Sequence, residues 1–269
     1  MDLLDEDKLR EAISDSHSAR LDSMEVFSEI DSTSNYLLEQ LCPSPGRFRV
    51  ALAEHQTAGR GRFERTWHSA PSSGICLSIS YTFAARPRDF SSVTLAIGAS
   101  LADALEGLGV RGIALKWPND IIVAEGKVAG ILTEVQPANA AGVTMVVGIG
   151  LNVDLRNADS LPDVDRAADI ASCCDQLPSR SAISAILITS LLNAITKFEA
   201  GGFAPFFDTW QRFDWLRGQQ ISVELPGELV PGVAQGIDVD GSLILETEVG
   251  KRRIVSGSVR LGRETGGSL

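Results

Sequence analysis

Lysine is almost missing from this chain of 269 residues. There are five, Lys8, Lys116, Lys127, Lys197 and Lys251, in a Lys plus Arg total of 24, and none lies between Lys8 and Lys116. Asp plus Glu reach 35, giving a formal net charge of −11. That balance argues against a DNA or general nucleic-acid partner, because phosphate contact demands a basic face. Cysteine stops at Cys42, Cys76, Cys173 and Cys174, and histidine at His17, His55 and His68. None forms a CxxC pair or a cluster with metal spacing, so no protein-built metal site is expected. The thiols read as free, in a reducing, cytoplasmic setting. No uninterrupted apolar run reaches the ~20 residues that span a bilayer, and the opening MDLLDEDKLREA is too acidic for a secretory signal; no membrane partner is expected. A GxxxxGK string followed by Ser or Thr is absent, which excludes a P-loop. Neither a Ser-His-Asp order nor a reactive cysteine motif is present.

What is present suits a globular chain, 44% apolar and 22% charged, with room for one large domain and a small one. Residues 1–25 read as an N-terminal arm with one short amphipathic helix. In EIDSTSNYLLEQL, Ser32 and Thr33 are good caps for a helix carrying Leu37, Leu38 and Leu41. RFRVALAEHQ alternates into a strand that delivers Gln56, and GICLSISYTF is a β-branched and aromatic strand. SSVTLAIGASLADALEGLG predicts a buried helix, capped by Ser91 or Ser92 and stopped near Gly107 or Gly109. Between 113 and 153, IALKW, DIIVA, KVAGILTEV and VTMVVGIGLNV are split by PN, EG and QPANAAG, the pattern of an antiparallel meander. A long helix over SAISAILITSLLNAITKFEAGG and a shorter aromatic one follow. From Gly218, short strands with frequent turn residues predict a small closing β-barrel, with a frayed ETGGSL tail. The organisation expected is thus an arm over 1–25, a main domain over 26–217 and a small domain over 218–269.

Against the scarcity of cations elsewhere, GRGRFERTW at 59–67 concentrates Arg60, Arg62 and Arg65 around Gly59 and Gly61. The glycines allow backbone N–H groups to converge on an anion, and the guanidinium groups are planar donors suited to phosphate or carboxylate. Gln56 adds a donor and an acceptor on the approach, and Trp67 a flat wall. An exposed hairpin tip explains the glycines but not Gln56 and Trp67 on either side of them. In LKWPND, Pro118 fixes a turn after Lys116 and Trp117; Asn119 and Asp120 by themselves are ordinary turn residues. GKVAGIL starts the next-but-one strand with Lys127. A simple meander leaves Lys116 and Lys127 at opposite ends, roughly 15 Å apart, a span for an elongated ligand with charge near its middle. Gly148 and Gly150 leave one face of a strand bare, where a flat ring has room. Cations with no acidic metal cage point to chemistry in which charge growing on a phosphate is stabilised electrostatically.

At these residues the chain resembles the biotin–protein ligase family. The strings are DST at 31–33, AEHQTAGRGR at 53–62, RTW at 65–67, KWPND at 116–120, GKVAGIL at 126–132 and GIGLN at 148–152, in the family's order and approximate spacing, and the likeness covers about 26 to 262. It implies an α+β fold: a mixed, mostly antiparallel sheet flanked by helices, akin to class II aminoacyl-tRNA synthetases, with a C-terminal SH3-like barrel. It implies that biotin attacks the α-phosphate of Mg-ATP to give biotinyl-5′-AMP, and that a lysine of a biotin carboxyl carrier protein domain then takes the biotinyl group. By position, Ser32, Thr33 and Gln56 are implied to bind the ureido ring, and Gly59, Arg60, Gly130 and Gly148 to line the biotin slot. Arg62 and Lys127 are implied to meet carboxylate and α-phosphate. Arg65, Trp67, Asn119 and Asn152 fall on the adenylate side, and Lys116 and Asp120 at the reacting centre. Ser34 departs from the Asn common in the family and is left out of the site. No DNA-binding domain of the family's longer members is read, so repressor activity is not implied. A lipoate–protein ligase of the same fold, a non-catalytic biotin-binding regulator and a nucleic-acid module are the rival readings.

Overall fold

The computed structural model describes residues 3–136, 142–156 and 167–262. The expected QPANAAG turn and ETGGSL tail fall largely or wholly outside them. The arm holds two short helices, α1 (Glu6–Ala12) and α2 (Asp15–Ser18), and leads into strand β1 (Leu21–Phe27). Then come α3 (Thr33–Glu39), β2 (Phe48–Ala53), β3 (Gly74–Phe83), α4 (Val93–Gly107), β4 (Ile113–Lys116), β5 (Asp120–Val123), β6 (Gly126–Val135) and β7 (Val143–Asn152). Helices α5 (Arg180–Gly201) and α6 (Phe207–Phe213) precede β8 (Gln220–Leu225), β9 (Glu228–Ile237), β10 (Leu243–Thr247), β11 (Gly250–Ile254) and β12 (Ser258–Leu261).

The first seven strands form one sheet in the order β1-β2-β3-β7-β6-β5-β4. Only β1 and β2 run parallel; the other neighbours are antiparallel, and β4 to β7 form the expected meander. The central strands are buried on both faces because both are covered. One face, with Val50, Leu52, Leu77, Ile79, Met145 and Val147, belongs to the main core, against which α4 and α5 pack. The other face meets α3, where Leu37 packs on Ala51 and Val146. Helix α3 stops at Glu39, so Leu41 lies beyond it and is exposed. Helix α4 begins after Ser92 as expected, but the Ser92 hydroxyl donates to the Asp89 carbonyl rather than capping. Helix α5 is long and apolar enough to cross a membrane by length and composition alone; here it packs on α4, α1 and β3. The last five strands form an antiparallel sheet, β11-β10-β9-β8-β12, which is the small barrel-like unit expected from Gly218 onward.

The arm differs from expectation. It carries two helices, and the 25/26 boundary falls inside β1. Leu4, Leu9 and Ile13 are buried in the same core as the sheet. The Leu4 amide donates to Glu54 and the Asp5 amide to the Ser181 hydroxyl (2.5 and 3.0 Å), and Arg180 clamps Glu54 at 2.6 Å. Leu9 has no exposed surface. Leu9→Ala is therefore expected to cost about 2–5 kcal/mol of stability, read from the urea midpoint at unchanged slope. An unchanged midpoint would show the arm to be a loose appendage.

Candidate active site

The pocket floor is set by strand register. Cys76 pairs with Gly150, Gly150 with Gly130, Gly130 with Asp120, and Asp120 with Lys116, one row across four strand boundaries. Two residues along, Ser78 pairs with Gly148 and Gly148 with Leu132. Because side chains alternate along a strand, both rows face the α3 side. The middle of this floor has no side chains, and neighbours fill the space closely. A Cβ on Gly148 would come within 2.4 Å of the Ser34 hydroxyl, and one on Gly150 within 2.2 Å of the Trp67 ring. The flat ring expected over the glycines is, in this structure, the chain's own indole.

The polar end is built at the start of α3. Ser32 is its N-cap, accepting from the Asn35 amide at 3.4 Å. Thr33 donates to Gln56 Oε1 from its backbone N–H at 2.8 Å and from its hydroxyl at 3.0 Å. The Ser78 hydroxyl lies 2.7 Å from that of Thr33 and 3.0 Å from that of Ser34. All four of Ser32, Thr33, Ser34 and Ser78 are buried. Ser34 and Ser78 were not among the residues selected from the sequence. A signal for Ser78 existed, since 76, 78, 80 and 82 of the buried β3 are Cys, Ser, Ser and Thr, a small polar stripe with no structural need of its own.

The cationic end is set by an irregularity in β6. Asp120 pairs with Gly130 and Ile121 with Ala129, but Ile122 pairs with Lys127, so β6 carries a bulge. A bulge turns the residues beyond it to the other face. Val128 and Ala129 both enter the core, and Lys127 joins Gly130 on the pocket side. Its ammonium passes 3.1 Å from the Cβ position of Gly130, reaches Asp120 Oδ1 at 2.7 Å and lies 5.6 Å from the Trp67 ring centre. Lys116 stands opposite Asp120 in the β4–β5 ladder, and both lysines line one pocket.

The arginine loop closes that end as a small hairpin, with Trp67 N–H donating to Gly59 and Gly61 N–H to Arg65. The expected nest of backbone N–H groups is therefore not formed at Gly61. The left-handed residues are Phe63 and Glu64, at φ 55° and 58°; non-glycine residues there hold strain. Arg60 is forked onto Glu134 and hydrogen-bonded to Asn35 at 2.7 Å. Arg62 and Arg65 turn inward and across to the second sheet. Arg62 donates to Asn119 Oδ1 at 3.2 Å and to Gly257 O and Ser256 Oγ at 3.4 Å, and Arg65 donates to Ser258 Oγ at 3.1 Å. Burial, with the neighbouring Arg65 charge, lowers the Arg62 pKa from its ordinary value against the pull of Asp120. These partners are neutral, so an incoming anion would form stronger, charge-assisted bonds.

Two residues placed in the site by sequence do not line its wall. Gly59 lies behind the hairpin, where a Cβ would strike the Trp67 carbonyl at 2.4 Å. Asn152 is buried and donates its amide to the Lys127 and Ala168 carbonyls at 3.3 and 3.0 Å; it anchors the bulged strand through its backbone. Ser32, Thr33, Gln56, Arg60, Arg62, Arg65, Trp67, Lys116, Asn119, Asp120, Lys127, Gly130 and Gly148 all border one pocket, with Gly257 and Ser258 of the second sheet completing it.

A polar patch, a glycine floor and a cationic end thus meet in one slot. The chain matches the family model described as Biotin/lipoate A/B protein ligase family over residues 26–152 and Biotin protein ligase C terminal domain over 217–262. It is 33% identical to a biotin–acetyl-CoA-carboxylase ligase of Mycobacterium tuberculosis, covering 94% of this chain and 92% of that one. It is 30% identical to the Escherichia coli bifunctional ligase/repressor BirA over 84% of this chain and 70% of that one. A biotin protein ligase from Aquifex aeolicus, solved in complex with biotin and ATP, superimposes with TM-score 0.77 at 27% identity, over 90% of this chain and 100% of that one. The chain belongs to the biotin protein ligase family. It is an enzyme, a ligase.

Gly150→Ala should expel the indole, since no Cβ fits 2.2 Å from the ring. Trp67 emission is expected to shift to the red, and the exchange activity considered below to fall. Unchanged emission, against a Trp67→Phe control that identifies this ring's share, would show that the ring does not rest on Gly150.

Proposed function

We infer that this protein activates biotin with ATP as biotinyl-5′-AMP and passes it to a lysine of a biotin carboxyl carrier protein domain of a carboxylase. The observation that carries the reading is the pairing of ends: buried hydroxyls and an amide at one end of the glycine floor, and Lys127, Arg62 and Arg65 at the other. A cyclic urea needs donors and acceptors in a dry recess, and a carboxylate meeting a phosphate needs cations. In the first step a biotin carboxylate oxygen bonds to the α-phosphorus and the bond to the leaving pyrophosphate breaks. Arg62 and Lys127 are placed to offset the charge that builds there, and Arg65 to hold the phosphates. Trp67 and Asn119 stand on the adenylate side.

When Lys127 turns to the phosphate it leaves Asp120, its 2.7 Å partner. That carboxylate, beside Lys116, is then placed to orient the carrier lysine and take its proton as nitrogen attacks the acyl carbon and AMP departs. Among the described residues no three His, Cys, Asp or Glu side chains form a metal cage. We read Mg²⁺ as part of the substrate, carried on the ATP phosphates, as suits an ion that keeps most of its own water. We place the protein in the cytoplasm on its free cysteines, and its net charge of −11 supports a role without DNA.

ATP–pyrophosphate exchange tests substrate and reaction together. It should depend on biotin and Mg²⁺, and lipoate or octanoate should not replace biotin; equal exchange with lipoate would sink the assignment.

Lys127 and Arg62 should separate. Lys127→Ala removes a compact charge from the reacting phosphate and is expected to lower exchange about a hundredfold. Arg62→Gly removes a side chain that bridges the loop and the second sheet, so adenylate should form but escape. A streptavidin blot with a non-carrier protein present should show bystander labelling for Arg62→Gly and none for Lys127→Ala. An Arg62→Gly enzyme that makes adenylate yet labels no bystander would mean that this arginine does not retain it.

A further inference from the structure

We propose that Ser34 is a biotin-specificity residue and Ser78 its positioning residue, the two forming a one-way chain of hydroxyls that fixes which edge of a ring the pocket accepts. The inference rests on the reading of this pocket as the biotin site. The direction of every proton follows from the geometry. The Thr33 backbone N–H donates to one atom of the Gln56 amide at 2.8 Å, so that atom is the oxygen, because an amide nitrogen does not accept. The Thr33 hydroxyl, 3.0 Å from the same oxygen, must spend its only proton there. Ser78, 2.7 Å from Thr33 Oγ1, must then be the donor to Thr33. Its proton is used, so Ser34, 3.0 Å away, must donate to Ser78.

The chain therefore runs Ser34 to Ser78 to Thr33 to Gln56, with no freedom to reverse. Its far end, Ser34 Oγ, has only lone pairs left to offer, and it hangs over Gly148, within 2.4 Å of where a Cβ would sit. Thr33 Oγ1 retains one lone pair. Gln56 has both oxygen lone pairs occupied and offers only its N–H₂ protons. The wall thus presents acceptors beside a donor. Its complement is a ring carrying N–H next to C=O, the edge of a cyclic urea. A ring with only acceptors, or a dithiolane, leaves these lone pairs and protons buried without partners. Ser78 has no exposed surface and acts only through Thr33 and Ser34.

The test is biotin binding by calorimetry, with ATP binding and kcat at saturating biotin as controls, on the full chain. Ser34→Ala should raise the biotin Kd about ten- to hundredfold, the range for a buried group left without its partner, and leave ATP affinity unchanged. Ser78→Ala frees Thr33 and Ser34 to rotate and should raise it by less, about two- to tenfold, with Ser78→Cys, a weaker donor, in between. The deciding measurement uses the two cyclic carbamates in which one or the other ureido N–H of biotin is replaced by oxygen. Wild type should reject at least one of them relative to biotin, and Ser34→Ala should lose most of that discrimination. This cycle stands even if Ser78→Ala does not fold. If Ser34→Ala binds biotin as wild type does, or discriminates against both carbamates as strongly, the chain is not a recognition device. If wild type itself fails to bind biotin, the reading of the pocket falls instead.

Discussion

Everything at this site depends on a stretch of sheet that has done without side chains. Gly148, Gly150 and Gly130 open a trough in a floor that is otherwise filled from both sides. The trough has a cost in local stability, because a strand interior with glycine loses packing, and the cost is tolerated because neighbours occupy the space. Ser34 covers one position, Trp67 another, and the stem of Lys127 the third. Each is thereby held in van der Waals contact with backbone, a far narrower constraint than a surface side chain has.

The second determinant is charge without matching counter-charge. Arg60, at the pocket's edge, is answered by Glu134. Arg62 and Arg65 instead rest on amide, hydroxyl and carbonyl oxygens. Burial makes the Arg62 cation uncomfortable, and an anion relieves it. Lys127 and Asp120 answer each other at 2.7 Å; in the function proposed above, a phosphate that draws the lysine leaves this carboxylate for the proton of the attacking amine.

Much of this was readable from the residues. The meander, the Ser32 cap, the Gln56 approach and the turn at Pro118 each have a local cause, a propensity or a fixed dihedral, and local causes survive in sequence. Gly148 and Gly150 were legible as a bare face. What was not legible depends on distant partners. No residue type announces the bulge next to Lys127; it follows from two consecutive side chains, Val128 and Ala129, both preferring the core. Ser34 and Ser78 touch because α3 crosses β3, and nothing between them in sequence says so. Arg60 looked equivalent to Arg62 until Glu134, far along the chain, was seen to take it. The arm read as an appendage because its three buried residues, Leu4, Leu9 and Ile13, are too few to declare a core on their own.

The contacts of Arg62 and Arg65 with Ser256, Gly257 and Ser258 make the two sheets partners in one equilibrium. If Arg62 and Arg65 hold the phosphates as proposed, a phosphate that draws the guanidinium groups away loosens their grip on Ser256, Gly257 and Ser258. By the reciprocity of linked equilibria, whatever tightens that grip must weaken phosphate by the same factor. On that reading, nucleotide affinity and the seating of the second sheet are a single variable read at two places. On that reading a substitution at these residues, of which Gly257 and Ser258 themselves border the pocket, would be felt as a change in how tightly ATP is held.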